Sequence, residues 1–239
     1  MIREIEIKNR KCIINSTVNN WDYMDDFLNA LCNVDPGYYM FSPAHTGNAR
    51  YVREEVYTER VFAYEFYHQY RCIMSENEKY NDIILNGEQT KTREVVPDLE
   101  RCAPDLVLHK KIEATNPEGQ LWLCEIKMAR SHNPLSDIKK FQDMALLQFK
   151  EKVFLFAGGC KERLLLLINK KLEANQINPD KDGNVICVCS SCKHVYDGKH
   201  LYELYVDCHR LGELIKLKKN IKVLEDELGK KEVNGYVLY

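Results

Sequence analysis

The sequence predicts an α/β protein, a mixed β-sheet flanked by helices. Three observations lead there. Short apolar runs bounded by turn residues recur at 81–85, 106–109, 121–127, 153–156 and 184–190, and each reads as a strand. Longer segments with apolar residues three and four apart, at 49–73, 134–149 and 160–174, read as helices. The order is then helix, three strands, helix, strand, helix, strand. With 239 residues, 45% of them apolar, the chain can bury a real core. The expected division is an N-terminal extension (1–48), a core domain (49–190) and a C-terminal Cys/His turn with an amphipathic helix packed on the core (191–239).

The N-terminus, Met1-Ile2-Arg3-Glu4-Ile5-Glu6-Ile7-Lys8, alternates charged and apolar residues as a strand does. It lacks the apolar stretch of a signal peptide, and no run is long enough to span a bilayer. A helix is expected at 19–32, with Trp21, Met24, Phe27, Leu28 and Leu31 on one side. Asp35-Pro36-Gly37 ends it. The helix at 49–73 carries the stripe Val52, Val56, Phe62, Ala63, Phe66, Tyr70 and Ile73. Glu59 falls on that stripe, three residues before Phe62, whereas Glu65 and His68 fall off it. A carboxylate inside an apolar stripe is the informative exception. Its two readings are a functional acid and a Glu paired with Arg60 or Arg93.

The strand at 81–85 ends at Asn86-Gly87, with Glu88 just beyond. Pro104-Asp105 then opens a strand directly, whereas the competing Pro97-Asp98 does not. After Asn116-Pro117-Glu118-Gly119 comes Leu121-Trp122-Leu123-Cys124-Glu125-Ile126-Lys127. Alternation puts Leu121, Leu123, Glu125 and Lys127 on one face, so a carboxylate and an ammonium emerge together at the end of an apolar strand. A charge there needs a partner, and Asp105 offers a second carboxylate close by. Two carboxylates and a backbone carbonyl form a hard oxygen site suited to Mg²⁺ completed by water and phosphate oxygens. The alternative is a hairpin with a surface Asp and a Glu–Lys pair.

Pro104-Asp105 followed by Glu125-x-Lys127 resembles the motif of the PD-(D/E)xK nuclease superfamily, over about residues 51–157. The resemblance implies a restriction-endonuclease-like sheet and metal-dependent hydrolysis of nucleic-acid phosphodiesters, DNA before RNA. It implies Asp105, Glu125 and the Ile126 carbonyl as ligands of Mg²⁺ or Mn²⁺, with Lys127 assisting the attacking water. It also implies Glu59 as the additional acid of the preceding helix, with Glu65 or Glu88 in reserve. A catalytically silent domain of the same fold, binding nucleic acid or protein, is the alternative.

Pro134 suits the first turn of the next helix, whose buried side is Leu135, Ile138, Phe141, Ala145 and Phe149. Lys139 and Lys140 could meet a phosphate backbone. Gly158-Gly159 is followed by no Gly-Lys-Ser/Thr, so the P-loop reading fails. Asp180-Lys181-Asp182-Gly183-Asn184 lacks the distal Glu of a calcium loop. Cys189-x-x-Cys192 has zinc spacing, with Cys187, Cys208, His194, His200 and His209 nearby, and makes a zinc-stabilised binding protein a third reading. Ten cysteines without a signal peptide point to free thiols in a reducing, cytoplasmic compartment. A net charge of −2 excludes a globally basic nucleic-acid binder. From 201 onward the tail is expected to be helical, with the seam Leu214, Leu217, Ile221, Leu224 and Leu228 packing on the core or forming a homodimer.

Overall fold

A computed structural model describes residues 2–7, 10–35, 38, 51–87, 104–111, 116–129, 131, 133–174, 176–194, 202–217 and 221–233. The chain is α/β. Among the described residues, eight strands form one mixed sheet: β1 (Ile2–Ile7), β2 (Arg10–Ser16), β3 (Ile83–Gly87), β4 (Leu106–Lys110), β5 (Gln120–Met128), β6 (Glu151–Ala157), β7 (Ile186–His194) and β8 (Tyr202–Arg210). Their order across the sheet is β1-β2-β8-β7-β6-β5-β4-β3. The strands β5, β6 and β7 run parallel, and β3-β4-β5 is an antiparallel meander.

Helices cover both faces. On one lie α1 (Met24–Asn33) and α2 (Tyr51–Ser75). There Phe27 packs on Phe66 with ring centroids 4.8 Å apart, and Trp122 of β5 meets Phe27 at 5.6 Å and Tyr70 at 5.5 Å. Phe62, Phe66, Tyr70 and Met74, each four residues on, are the buried stripe that holds α2 to the sheet. On the other face lie α3 (Lys140–Asp143) between two 3₁₀ turns (Ser136–Lys139 and Met144–Leu147), α4 (Lys161–Glu173), the one-turn α5 (Pro179–Asp182), α6 (Leu211–Lys216) and α7 (Ile221–Val233). Their shared core includes Phe141, Phe154, Phe156, Leu164, Leu214 and Leu224. No described helix is long and apolar enough to cross a membrane.

Several expectations need correction. The tail from 201 does not start as a helix: Leu204, Val206 and Cys208 alternate into the core, and 202–210 is strand β8. The N-terminal segment is more than a helical extension, because β1 and β2 are sheet strands and β2 pairs in parallel with β8. β1, β2, the end of β7 and β8 thus extend the sheet beyond residues 49–190. Along β5, Leu121 does not share the face of Leu123. The β4–β5 register runs Leu108↔Trp122 and then His109↔Gln120, so Leu121 is the extra residue of a bulge and packs with Trp122.

The segment after β5 is a broken series of short turns rather than one helix. Leu135, Ile138, Phe141 and Phe149 are buried as expected, but Ala145 is exposed and Met144 takes the inner position. In the tail seam Leu214, Leu224 and Leu228 are buried and Leu217 is exposed. Ile221 begins α7, with its side chain outside the described set. Leu224, fully buried against the α4 side of the core, is the sensitive seam position. Leu224→Asp is expected to lower stability by about 2–4 kcal/mol, through lost packing and a buried charge. Urea unfolding measures it; an unchanged midpoint would show that the seam carries no load.

Candidate active site

The chain places six charged side chains at the carboxyl end of β5. Glu125 and Lys127 project from the same face of the strand, as its period of two requires. Glu125 is completely buried, while the Lys127 side chain keeps 18% of its surface. Asp105 stands one residue before β4. The β4–β5 ladder ends at Leu106↔Cys124, so the Ile126 N–H lies past it. It donates instead to Asp105 Oδ2 at 2.6 Å, so that carboxylate takes the place of the missing strand. Glu59 comes from α2, one turn before Phe62. Lys127 Nζ donates to its Oε1 at 2.7 Å, and the Met128 N–H reaches its Oε2 at 3.4 Å. The structure therefore brings together Glu59, Asp105, Glu125 and Lys127, which lie up to 68 residues apart.

Two further members, Asp137 and Lys140, come from the turns after β5. Asp137 Oδ2 lies 3.1 Å from both Lys127 Nζ and Lys140 Nζ, and Lys140 Nζ donates to Glu125 Oε2 at 3.1 Å. The sequence reading missed Asp137 and gave Lys140 only a possible phosphate contact. A signal existed: in a helical register Asp137 lies four residues before Phe141, on the buried side, as Glu59 does before Phe62 and Ala63. Glu65 points elsewhere and accepts a hydrogen bond from Gln69 at 2.6 Å along its own helix. Glu88, Asp98 and Arg93 lie outside the described residues, as do the side chains of Val52 and Val56.

The electrostatics follow from burial. Desolvation, with the charges of Asp105 and Asp137 adding and Lys140 opposing, pushes the Glu125 carboxyl up to about 8. Desolvation likewise pushes Asp105 up to about 6, against the Ile126 N–H and the charge of Lys127. Burial pulls the Lys127 ammonium down, but the Glu59 hydrogen bond and the Glu59 and Asp137 charges outweigh it and raise its pKa. Lys140 is raised in the same way, by Glu125 and Asp137 against desolvation. Burial raises Asp137, but Lys127 and Lys140 overcome it and hold the carboxyl below its usual range.

Four carboxylates thus face two ammoniums, which leaves two negative charges when all are ionised. Glu125 Oε1 is buried with no hydrogen-bond partner. That orphaned acceptor and the charge deficit fit a hard divalent cation. No described group of three or more His, Cys, Asp or Glu side chains forms a metal cluster. Of the expected donors, Asp105 and Glu125 offer two carboxylates and Ile126 only a backbone carbonyl, so any cation here would depend on water for the rest of its shell.

The cysteine turn is built differently. Cys189 packs with Phe154 and Leu164 on one side of the sheet, and Cys192 packs with Leu204 and Cys12 on the other. Residues three apart on a strand point to opposite faces, so this Cys-x-x-Cys cannot close on one ion. Burial raises the thiol pKa of Cys187, Cys189, Cys192 and Cys208, which suits apolar filling. His209 is instead hydrogen-bonded through Nδ1 to Thr17 at 2.9 Å. The His194 side chain and His200 lie outside the described set. No family model matches the chain, and neither curated proteins nor solved structures show a significant match.

Proposed function

We propose that this chain is a metal-dependent nuclease of the PD-(D/E)xK type, hydrolysing phosphodiesters of nucleic acid, DNA before RNA. The observation that carries the reading is Glu125: a fully buried carboxylate beside Asp105, with one oxygen unpartnered, at the end of β5. A buried polar oxygen without a partner is costly, and a ligand at this position would satisfy it. The order α2, β3-β4-β5, helical turns, β6, with β6 parallel to β5, supports a restriction-endonuclease-like core. The nine described cysteines are free, and eight of them are buried, which suits a cytoplasmic setting.

Each residue then has a task. Asp105, Glu125 and the Ile126 carbonyl would hold Mg²⁺ or Mn²⁺. Such an ion, when bound, lowers the pKa of its water and polarises the phosphoryl group. Lys127 orients the attacking water and offsets developing negative charge. Glu59 and Asp137 fix the Lys127 ammonium from two sides and keep it protonated. Lys140 is the resident counter-ion of Glu125 and lies where an entering phosphate would also need a cation.

A second reading, a silent binding module of the same fold, is favoured by one feature: both lysines are already ion-paired within the cluster. The two separate in one assay. Purified protein is incubated with plasmid, linear and single-stranded DNA, and with RNA, in Mg²⁺, Mn²⁺ or EDTA. Cleavage in Mg²⁺ or Mn²⁺ that EDTA abolishes is expected. Binding without cleavage under every condition would establish the silent module.

A further inference from the structure

We propose that the cavity beside the carboxylates is a nucleoside subsite that receives one base unstacked from its neighbours. The substrate is then single-stranded nucleic acid or a frayed strand end. The inference rests on the nuclease reading for the phosphate end of the cavity. Its other end stands on geometry that the reading does not use.

The cavity has a volume of about 350 Å³, and both polar and apolar groups line it. Glu59, Asp105 and Ile126 line it beside the carboxylates. Ala63, Tyr64 and Tyr67 of α2 form one wall beyond them. The wall follows from helix geometry. Glu59, Ala63 and Tyr67 recur every four residues along one ridge, and Arg60 and Tyr64 lie on the next. Each step of four advances about 6 Å, so Tyr67 lies roughly 12 Å along the axis from Glu59. That span matches the reach of one nucleotide from its phosphate to the far edge of its base.

The residue types along the wall fit that occupant. Ala63 is small and leaves room between the acidic end and the aromatic end. Tyr67 is fixed, its hydroxyl donating to the Leu85 carbonyl at 3.3 Å. Tyr64 is 62% exposed, a large aromatic side chain that the core does not use. An exposed ring on a cavity wall is a stacking platform, and it accepts any base because every base has a π-face. A base inside an intact duplex is stacked on both faces and cannot use such a platform without being extruded.

The test uses the full chain and a single-stranded oligonucleotide carrying one 2-aminopurine, whose fluorescence reports stacking. Titrations are run in EDTA and again in Ca²⁺, separately from any cleavage assay. Wild-type protein is expected to change the fluorescence, with weaker binding to the fully paired duplex. Tyr64→Ala should weaken binding to the single strand roughly tenfold, whereas Tyr64→Phe should retain it. Tyr64 is exposed, so the fold should tolerate both variants. The subsite is overturned if wild type gives no fluorescence change in either buffer, if duplex binds as well as single strand, or if Tyr64→Ala binds like wild type. Tyr64-dependent stacking without cleavage in Mg²⁺ or Mn²⁺ overturns the nuclease reading and leaves the subsite standing. Cleavage with a KM unmoved by Tyr64→Ala does the reverse.

Discussion

Asp105→Asn and Glu125→Gln are each expected to abolish Mg²⁺-dependent cleavage while the protein stays folded. Both replacements keep the shape of the side chain and remove the charge that would hold the cation. Asp105→Asn keeps an amide oxygen for the Ile126 N–H, so the ladder end is preserved. Metal binding should fail with cleavage. Wild type at a Mg²⁺ concentration one hundred times Kd gains about 2.7 kcal/mol of stability, and the variants should gain little of it. Lys127→Ala should behave differently. It should still be stabilised by Mg²⁺, because no ligand is lost, yet cleave roughly 100- to 1,000-fold more slowly for want of the cation that stabilises developing charge. Thermal shifts with and without Mg²⁺, beside single-turnover cleavage rates, make the comparison. If the cluster were only an internal ion-pair network, the three variants would differ in stability alone, and Mg²⁺ would shift none of their melting temperatures.

Without metal, stability is expected to fall as pH rises from about 5 to about 8, and Glu125→Gln is expected to remove most of that fall. The sign follows from proton counting. The Glu125 carboxyl is pushed up to about 8 in the folded chain, chiefly by burial, whereas an unfolded Glu titrates near 4.3. Between those values the folded state holds a proton that the unfolded state has released, so raising the pH favours unfolding. Asp105, pushed up to about 6, acts in the same direction over a narrower window, and the neighbouring acids titrate as a coupled pair. The raised pKa values of Lys127 and Lys140 add no slope here, since their stabilising effect is complete below the usual lysine pKa near 10.4. The whole effect is on the order of 3–5 kcal/mol. At pH 8 in EDTA, Glu125→Gln should therefore melt on the order of 5–10 °C above wild type. Tm measured at pH 5, 6.5 and 8 tests this. A wild type whose Tm is flat or rises across that range would mean that Glu125 is ionised throughout and fully paired by Lys140.

Mg²⁺ should reverse the slope for wild type, because binding requires both carboxylates ionised. Lys140→Met sharpens the point. It removes the counter-ion that now lies 3.1 Å from Glu125, so the metal-free protein should lose stability at pH 8 while its apparent Mg²⁺ affinity rises.

Strand-level chemistry around the site was readable because it depends only on local period. A spacing of two fixes Glu125 and Lys127 on one face wherever the strand lies in the sheet. The buried turns of α2 were readable for the same reason: Phe62, Phe66 and Tyr70 repeat every four residues, and Glu59 interrupts the run one turn earlier. The bulge at Leu121 was not readable, because it arises from the register with β4, which β5 by itself does not encode.

The sequence by itself determined that Asp105, Glu125 and Lys127 would be presented at strand ends and that Glu59 would look toward the sheet. Only the tertiary structure decided their electrostatic states, because burial and neighbours set a pKa, and both come from packing. Asp137 and Lys140 joined the cluster when the turns after β5 folded over its end, and Glu125 lost contact with solvent in the same packing. The edge of the sheet is the other case. The residues of β8 read as the start of a helical tail, but they pair antiparallel with the preceding β7 and parallel with Lys11–Ser16 of β2, some 190 positions earlier. The alternation of Leu204, Val206 and Cys208 is a strand signal within the segment, whereas the pairing with β2 is encoded by neither segment alone.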